Sequence, residues 1–168
     1  MGRYEHIESA LIHGGIYGDE RTGAVNTPVY LTSTYMQDGL GRHRGYEYSR
    51  TGNPTREALE ALIAELEGAA GFAFASGMAA ITAVLSLFQS GDKIVISSNV
   101  YGGTFRILDK VFRNFGMHYA IADTTDLPAL EAEITPAVKA VLIESPANPL
   151  LTVTDIAAVA ALTKRKGI

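Results

Sequence analysis

A chain of 168 residues and 17.9 kDa makes about one domain of ordinary size, able to bury a core without disulfides or metal. Apolar residues at 47%, charged residues at 19% and a net charge of −4 with no long block of one sign argue against disorder and against a basic face for nucleic acid. Cysteine is absent, which removes thiol nucleophiles, disulfides and cysteine-ligated metal together. The sequence has no apolar run of about 18 residues, and its start, MGRYEHIESALIHGG, lacks the unbroken apolar stretch of a signal peptide. A soluble cytoplasmic protein with neither membrane nor nucleic acid as partner is expected.

Residues 1–52 are rich in Gly, Thr and Tyr with few helical periods, and read as an arm of loops and short elements. Regular structure is predicted to start at Asn53-Pro54, an N-cap followed by a proline at the first helical position. Leu59, Leu62, Ile63 and Leu66 then mark one face of a helix that stops near Gly68. From Gly71 onward, strands at 72–75, 93–97, 117–122 and 138–143 alternate with helices at 78–88, 104–115, 127–134 and 155–166, the first of these helices largely buried. Such β-then-α units imply a parallel sheet with helices on its faces. Lys164, Arg165 and Lys166 suit a helix C-terminus, Gly167 suits the residue after it, and Ile168 would open another strand. The sequence therefore reads as stopping within a fold.

In such sheets ligands bind at the carboxyl ends of the strands, and four segments fall there. Ala75-Ser76-Gly77-Met78-Ala79-Ala80 turns a strand into a helix with small residues that expose backbone N–H groups; a bound phosphate and an empty tight turn fit it equally. Asn99-Val100-Tyr101-Gly102-Gly103-Thr104 offers one ring beside two glycines, for stacking on a flat ligand or for packing alone. Glu144-Ser145-Pro146-Ala147-Asn148-Pro149 holds a carboxylate and an amide at a strand end, with plain turn chemistry as the alternative. Tyr46-Glu47-Tyr48-Ser49-Arg50-Thr51-Gly52-Asn53-Pro54-Thr55, at the junction of arm and domain, brings an arginine fork and phenols that could share an anion's oxygens, or simply face solvent. The glycines at 39, 41 and 45 have the wrong spacing for a dinucleotide loop, the four histidines lack the short spacings of a metal site, and Glu57, Glu60, Glu65 and Glu67 read as a solvated helix face.

Together, Tyr48-Ser49-Arg50 with Asn53-Pro54-Thr55, Ala75 to Ala80, Tyr101-Gly102-Gly103-Thr104, and Glu144-Ser145-Pro146 with Asn148-Pro149 resemble the pyridoxal-phosphate enzymes of cysteine and methionine metabolism, the cystathionine lyases and synthases among them. The resemblance implies an α/β, aspartate-aminotransferase-like (fold type I) large domain with a mainly parallel sheet. Residues 1–52 would be an arm reaching a neighbouring subunit, and 53–168 the first part of the large domain. It implies that the Gly77 and Met78 amides bind the cofactor phosphate, that Tyr48 and Arg50 reach that phosphate from the neighbour, and that Tyr101 stacks on the pyridine ring and moves a proton. It also implies that Asn148 lies near the ring hydroxyl and the substrate carboxylate, with Glu47 and Arg106 on the substrate side, in a homotetramer built from dimers.

Glu47 before Tyr48 is similar to cystathionine γ-lyases, and Gly103 departs from methionine γ-lyases, so a γ-lyase type acting on a small sulfur amino acid is expected, with β-elimination as an accompanying activity. A γ-synthase is the alternative within the family. The family's cofactor lysine and its pyridine-nitrogen aspartate have no counterpart in these residues, because Lys93, Lys110, Lys139, Lys164 and Lys166 lack the lysine's Ser-Ala-Thr-type context. The expectation is the N-terminal part of an active enzyme; a catalytically inactive short relative acting as a binding module is the competing reading, and a nicotinamide-cofactor domain lacks its fingerprint loop.

Overall fold

The computed structural model describes residues 4–168, so the first three residues of the expected arm lie outside the described residues. The chain divides into two compact units, one running to Phe74 and the other spanning Ala75–Ile168.

The first unit contains helix α1 (Ile7–His13), strands β1 (Gln37–Gly39) and β2 (Arg42–His43), and helix α2 (Pro54–Glu67). Helix α2 starts and stops where the sequence predicts. Asn53 caps it by accepting the Thr55 N–H at 2.8 Å, and Gly68 ends it at φ 66°, a left-handed conformation that glycine adopts without steric cost. After α1 the chain passes so close to α2 that a Cβ on Gly15 would stand 1.9 Å from the Ala58 carbonyl oxygen. The loops and short elements expected over residues 1–52 take the form, among the described residues, of α1, β1 and β2, of seven, three and two residues. The glycines set aside as a false dinucleotide loop bridge and follow the antiparallel pair β1–β2.

Polar ties give this unit its shape. Arg44 Nε donates to both Asp38 carboxylate oxygens, at 2.9 and 3.0 Å. The α2 carboxylates, read from sequence as solvated, mostly hold neighbouring loops: Glu57 accepts from the Tyr46 hydroxyl, Glu65 from the Tyr4 N–H at 3.1 Å and Glu60 from the Ala73 N–H at 2.9 Å. Glu67 is exposed as expected.

The second unit is built of α3 (Gly77–Leu85), β3 (Lys93–Ser97), α4 (Gly102–Lys110), β4 (His118–Ala122), α5 (Leu127–Glu133), β5 (Val138–Leu142) and α6 (Ile156–Arg165). The strands form a parallel sheet in the order β4-β3-β5, with Val95 opposite Ala120 on one side and Val141 on the other. Alternation along β3 sorts its side chains to two faces. Val95 joins Leu130 of α5 and Val159 and Leu162 of α6, while Ile94 and Ile96 join Leu85 of α3 and Leu108 of α4. Helices thus cover both faces, as the βα alternation predicts. Asp126 and Asp155 cap α5 and α6 by accepting from Ala129 and Ala158 N–H groups, and Gly167 follows α6 at φ 73°.

Three expectations need correction. Residues 72–75 do not form a strand: no strand among the described residues pairs with them, and Phe72 is 75% exposed. Helix α3 ends at Leu85, short of the expected 88, and only Leu85 in it is buried, with Ile81 partly buried against the same cluster. The single helix expected over 104–115 breaks at Val111, whose φ of −119° departs from regular helix geometry, while Asn114 Nδ2 donates to the Lys110 carbonyl oxygen at 2.9 Å. A short 3-10 turn, Phe112–Phe115, follows. Among the described residues no helix is long and apolar enough to cross a membrane.

Candidate active site

In the second unit the carboxyl ends of β3, β4 and β5 gather polar side chains on one rim. Ser97 Oγ lies 3.2 Å from Thr124 Oγ1, which lies 2.6 Å from Thr154 Oγ1, and the Thr154 N–H donates to Ser145 Oγ at 3.0 Å. This buried chain of hydroxyls fixes the loops after all three strands, since an unpaired hydroxyl there would carry the full cost of desolvation. Asn99 Nδ2 donates to Thr152 Oγ1 at 3.2 Å and extends the tie.

On that rim Tyr101 is the residue before α4, and its N–H donates to Glu144 Oε2 at 2.7 Å, joining the loops after β3 and β5. Its ring is 49% exposed. A Cβ added at Gly103 would stand 2.5 Å from Tyr101 Cε1 and 2.7 Å from Met78 Sδ. The absence of a side chain at 103 therefore lets the Tyr101 ring and the Met78 side chain, from the start of α3, meet over the first turn of α4.

Ser76 begins α3, with its Oγ accepting the Ala79 N–H at 3.1 Å and its carbonyl accepting the Ala80 N–H at 3.1 Å. The N–H groups of Gly77 and Met78 have no partner among the described residues. They open at the positive end of a nine-residue helix, and no atom lies within 4 Å of where a Gly77 Cβ would be. This geometry accepts an anion such as a phosphate. Arg106, one turn into α4, is exposed, with Nη1 lying 3.2 Å from a Cβ built on Gly102.

Asn148 sits exposed in the loop after β5, where the Ala147 N–H donates to the Thr152 carbonyl at 2.9 Å. Its side chain makes no hydrogen bond among the described residues, and nothing in this unit draws it to Tyr101.

In the first unit the Arg50 guanidinium carbon lies 4.7 Å from the centre of the Tyr48 ring, a cation–π contact. No carboxylate among the described residues pairs with Arg50. Glu47 is exposed and lies 3.7 Å from His43 Nε2. Sequence reasoning missed the Glu144 bond to Tyr101 and the hydroxyl chain; the available signal for the latter was a Ser or Thr at or just past the ends of β3 and β4, at 97 and 124, and another just before α6, at 154.

A parallel sheet between helix layers is the α/β class, and the solved structures and the family that match the chain make it fold type I of the pyridoxal-phosphate enzymes. The crystal structure of cystathionine gamma-lyase from Lactobacillus plantarum complexed with L-serine superposes with a TM-score of 0.90 at 56% identity, covering 95% of this chain and 42% of that one. The family model for Cys/Met metabolism PLP-dependent enzymes matches residues 8–168, and the chain belongs to that family. Among curated relatives, cystathionine gamma-lyase of Bacillus subtilis is 54% identical over 162 residues, 96% of this chain and 43% of that protein. Cystathionine beta-lyase of Lactococcus lactis is 54% identical over 159 residues, 94% of this chain and 42% of that protein. The chain thus spans less than half the length of these relatives.

The family's cofactor is pyridoxal phosphate, and the residues present fit its phosphate end. The Gly77 and Met78 N–H groups have no partner among the described residues, the space beside the Gly77 Cα is open, and the exposed Tyr101 lies on the same rim.

Proposed function

We propose that the complete protein is a carbon–sulfur lyase of cystathionine γ-lyase type, converting cystathionine and water to cysteine, 2-oxobutanoate and ammonia. β-Elimination from cystathionine or cysteine accompanies it, and γ-synthase chemistry is the alternative. The observation that carries this reading is the pair of open N–H groups at Gly77 and Met78 beside Tyr101. Pyridoxal phosphate, when bound, supplies the electron sink for bond breaking next to the substrate's amino carbon.

This chain's own residues hold and steer. Gly77 and Met78 would donate their N–H groups to the cofactor's phosphate oxygens. Tyr101 would stack on its ring, and the Tyr101 hydroxyl would move a proton at the substrate amine or the leaving sulfur. Asn148 donates to the ring hydroxyl or the substrate carboxylate, and Arg106 and Glu47 act on the substrate side. Tyr48 and Arg50, on residues 1–52, reach the phosphate of a neighbouring subunit in a dimer that pairs into a tetramer in the cytoplasm, while 53–168 start the large domain.

The test is product analysis of the complete protein supplied with pyridoxal phosphate and cystathionine. Cysteine with 2-oxobutanoate supports the reading, and homocysteine with pyruvate assigns the β-lyase reaction instead. A folded protein that binds pyridoxal phosphate and releases neither pair contradicts a lyase.

A further inference from the structure

We propose that Arg56 is a positioning residue that fixes the main chain of the Tyr48–Arg50 turn, so that Arg50 is presented to a phosphate with its charge unspent. The inference rests on the reading of Tyr48 and Arg50 given above and concerns how that turn is held. Arg56 lies near the start of α2. Its Nη1 donates to the Ser49 carbonyl at 3.2 Å and to the Arg50 carbonyl at 3.5 Å, and its Nη2 donates to the Thr51 carbonyl at 3.1 Å. Three consecutive carbonyls converge on one guanidinium.

Main-chain bonding alone does not supply this. In the turn, the Tyr48 carbonyl takes the N–H groups of Thr51 and Gly52, both at 3.0 Å, and the Thr51 hydroxyl at 2.8 Å. The three carbonyls that follow turn toward α2, where a planar fork of N–H donors can serve several acceptors at once and a lysine's single ammonium cannot keep the same geometry. The Arg56 side chain is 35% exposed and its Nε lies 3.4 Å from Glu60 Oε1. Glu60 also accepts the Ala73 N–H at 2.9 Å, so the carboxylate is itself anchored.

The two arginines therefore divide the work. Arg56 has its charge balanced by Glu60 and its donors spent on backbone, whereas Arg50 stacks on Tyr48 with no carboxylate beside it among the described residues. An unpaired arginine on a rigid turn is available to an anion, and rigidity lowers the ordering cost of binding it. Opposite Arg56, the Ser49 N–H donates to the Ser33 carbonyl at 2.9 Å and Asn53 Nδ2 donates to Ser49 Oγ at 3.1 Å. The turn is thus held by both sets of bonds, and among the described residues Arg56 alone serves the carbonyls of residues 50 and 51 with side-chain donors.

The test uses Arg56→Gln, Arg56→Lys and Arg50→Ala in the complete protein, read by amide hydrogen exchange without ligand and by titration with pyridoxal 5′-phosphate and with phosphate-free pyridoxal. Arg56→Gln should speed exchange at Thr51 and Gly52 about tenfold, leave the β3 amides unchanged, and weaken pyridoxal 5′-phosphate about tenfold without affecting pyridoxal. Arg56→Lys should restore neither, and it carries the exchange test if the Gln variant does not fold. Full rescue by lysine, or unchanged exchange and affinity in both variants while Arg50→Ala weakens the phosphate form, overturns the positioning role alone. An Arg50→Ala protein that binds pyridoxal 5′-phosphate as tightly as the parent overturns the reading of the turn and this inference with it.

Discussion

The two units of the chain are held by different forces. In the second, Val95, Leu130, Val159 and Leu162 fill one face of the sheet and Ile94, Ile96, Leu85 and Leu108 the other, so apolar burial carries the fold. In the first, α2 buries no residue fully, and Asn53, Arg56, Glu57 and Glu60 fasten loops through side-chain hydrogen bonds. A sheet core makes a stiff platform for backbone donors, while a web of polar ties shapes an exposed loop that presents charged side chains. Under the proposed function the platform supplies phosphate-binding amides, and the web supplies an arginine to a neighbouring subunit.

The sharpest way to break this contrast is Leu130→Ala. Leu130 is wholly buried, and truncation should cost about 2–5 kcal/mol, read as a fall in the denaturant midpoint of the second unit; a loss no greater than that of a surface change would deny that burial dominates there. Next is Gly103→Ala, where the new Cβ must push aside the Tyr101 ring and Met78 Sδ. A cost of about 1–3 kcal/mol and a changed near-ultraviolet tyrosine signal are expected, and an unaltered spectrum would mean that the ring does not rest on Gly103.

In the first unit Asn53→Ala removes a cap from Thr55 and donors from the Tyr30 carbonyl and Ser49 Oγ. It should cost about 1–2 kcal/mol. Asn53→Asp keeps the acceptor for Thr55 and should cost less; equal losses would show that the cap contributes nothing.

The smallest effect is a titration. The Tyr46 hydroxyl donates to Glu57, and that bond, with burial and the carboxylate's charge, pushes its pKa up to about 12. Because the folded value lies above the unfolded one, the neutral phenol's stabilisation is complete below the ordinary tyrosine range near pH 10. It is lost as pH rises toward 12. Absorbance titration should show Tyr46 ionising late, as Tyr119 also does, with Glu57→Gln bringing Tyr46 alone back toward the ordinary range; a Glu57→Gln curve matching the parent would remove the tie.

The same contrast explains what the sequence discloses. Helix α2 and, apart from the break at Val111, the elements from β3 to α6 are legible because their signals are local: caps at Asn53, Asp126 and Asp155, alternation in β3, and glycines at 68 and 167. The segment 72–75 has the composition of a strand, but a strand exists only against a partner, and composition cannot supply one. The β1–β2 pair was hidden because its residues are polar and its shape comes from ties such as Arg44 to Asp38. At the site, the turn at Ser76–Met78 was readable as a short motif. The bond from Tyr101 to Glu144, formed across 43 residues of chain, was not. Asn148 was named for its motif, and the structure leaves its side chain exposed in its loop.

The most direct test of the central claim follows the amide signals of Gly77 and Met78 as pyridoxal 5′-phosphate is added. The account predicts that these two amides shift more than any others in the second unit, and that phosphate-free pyridoxal leaves them in place. Saturable binding of pyridoxal 5′-phosphate with both amides unmoved would contradict it.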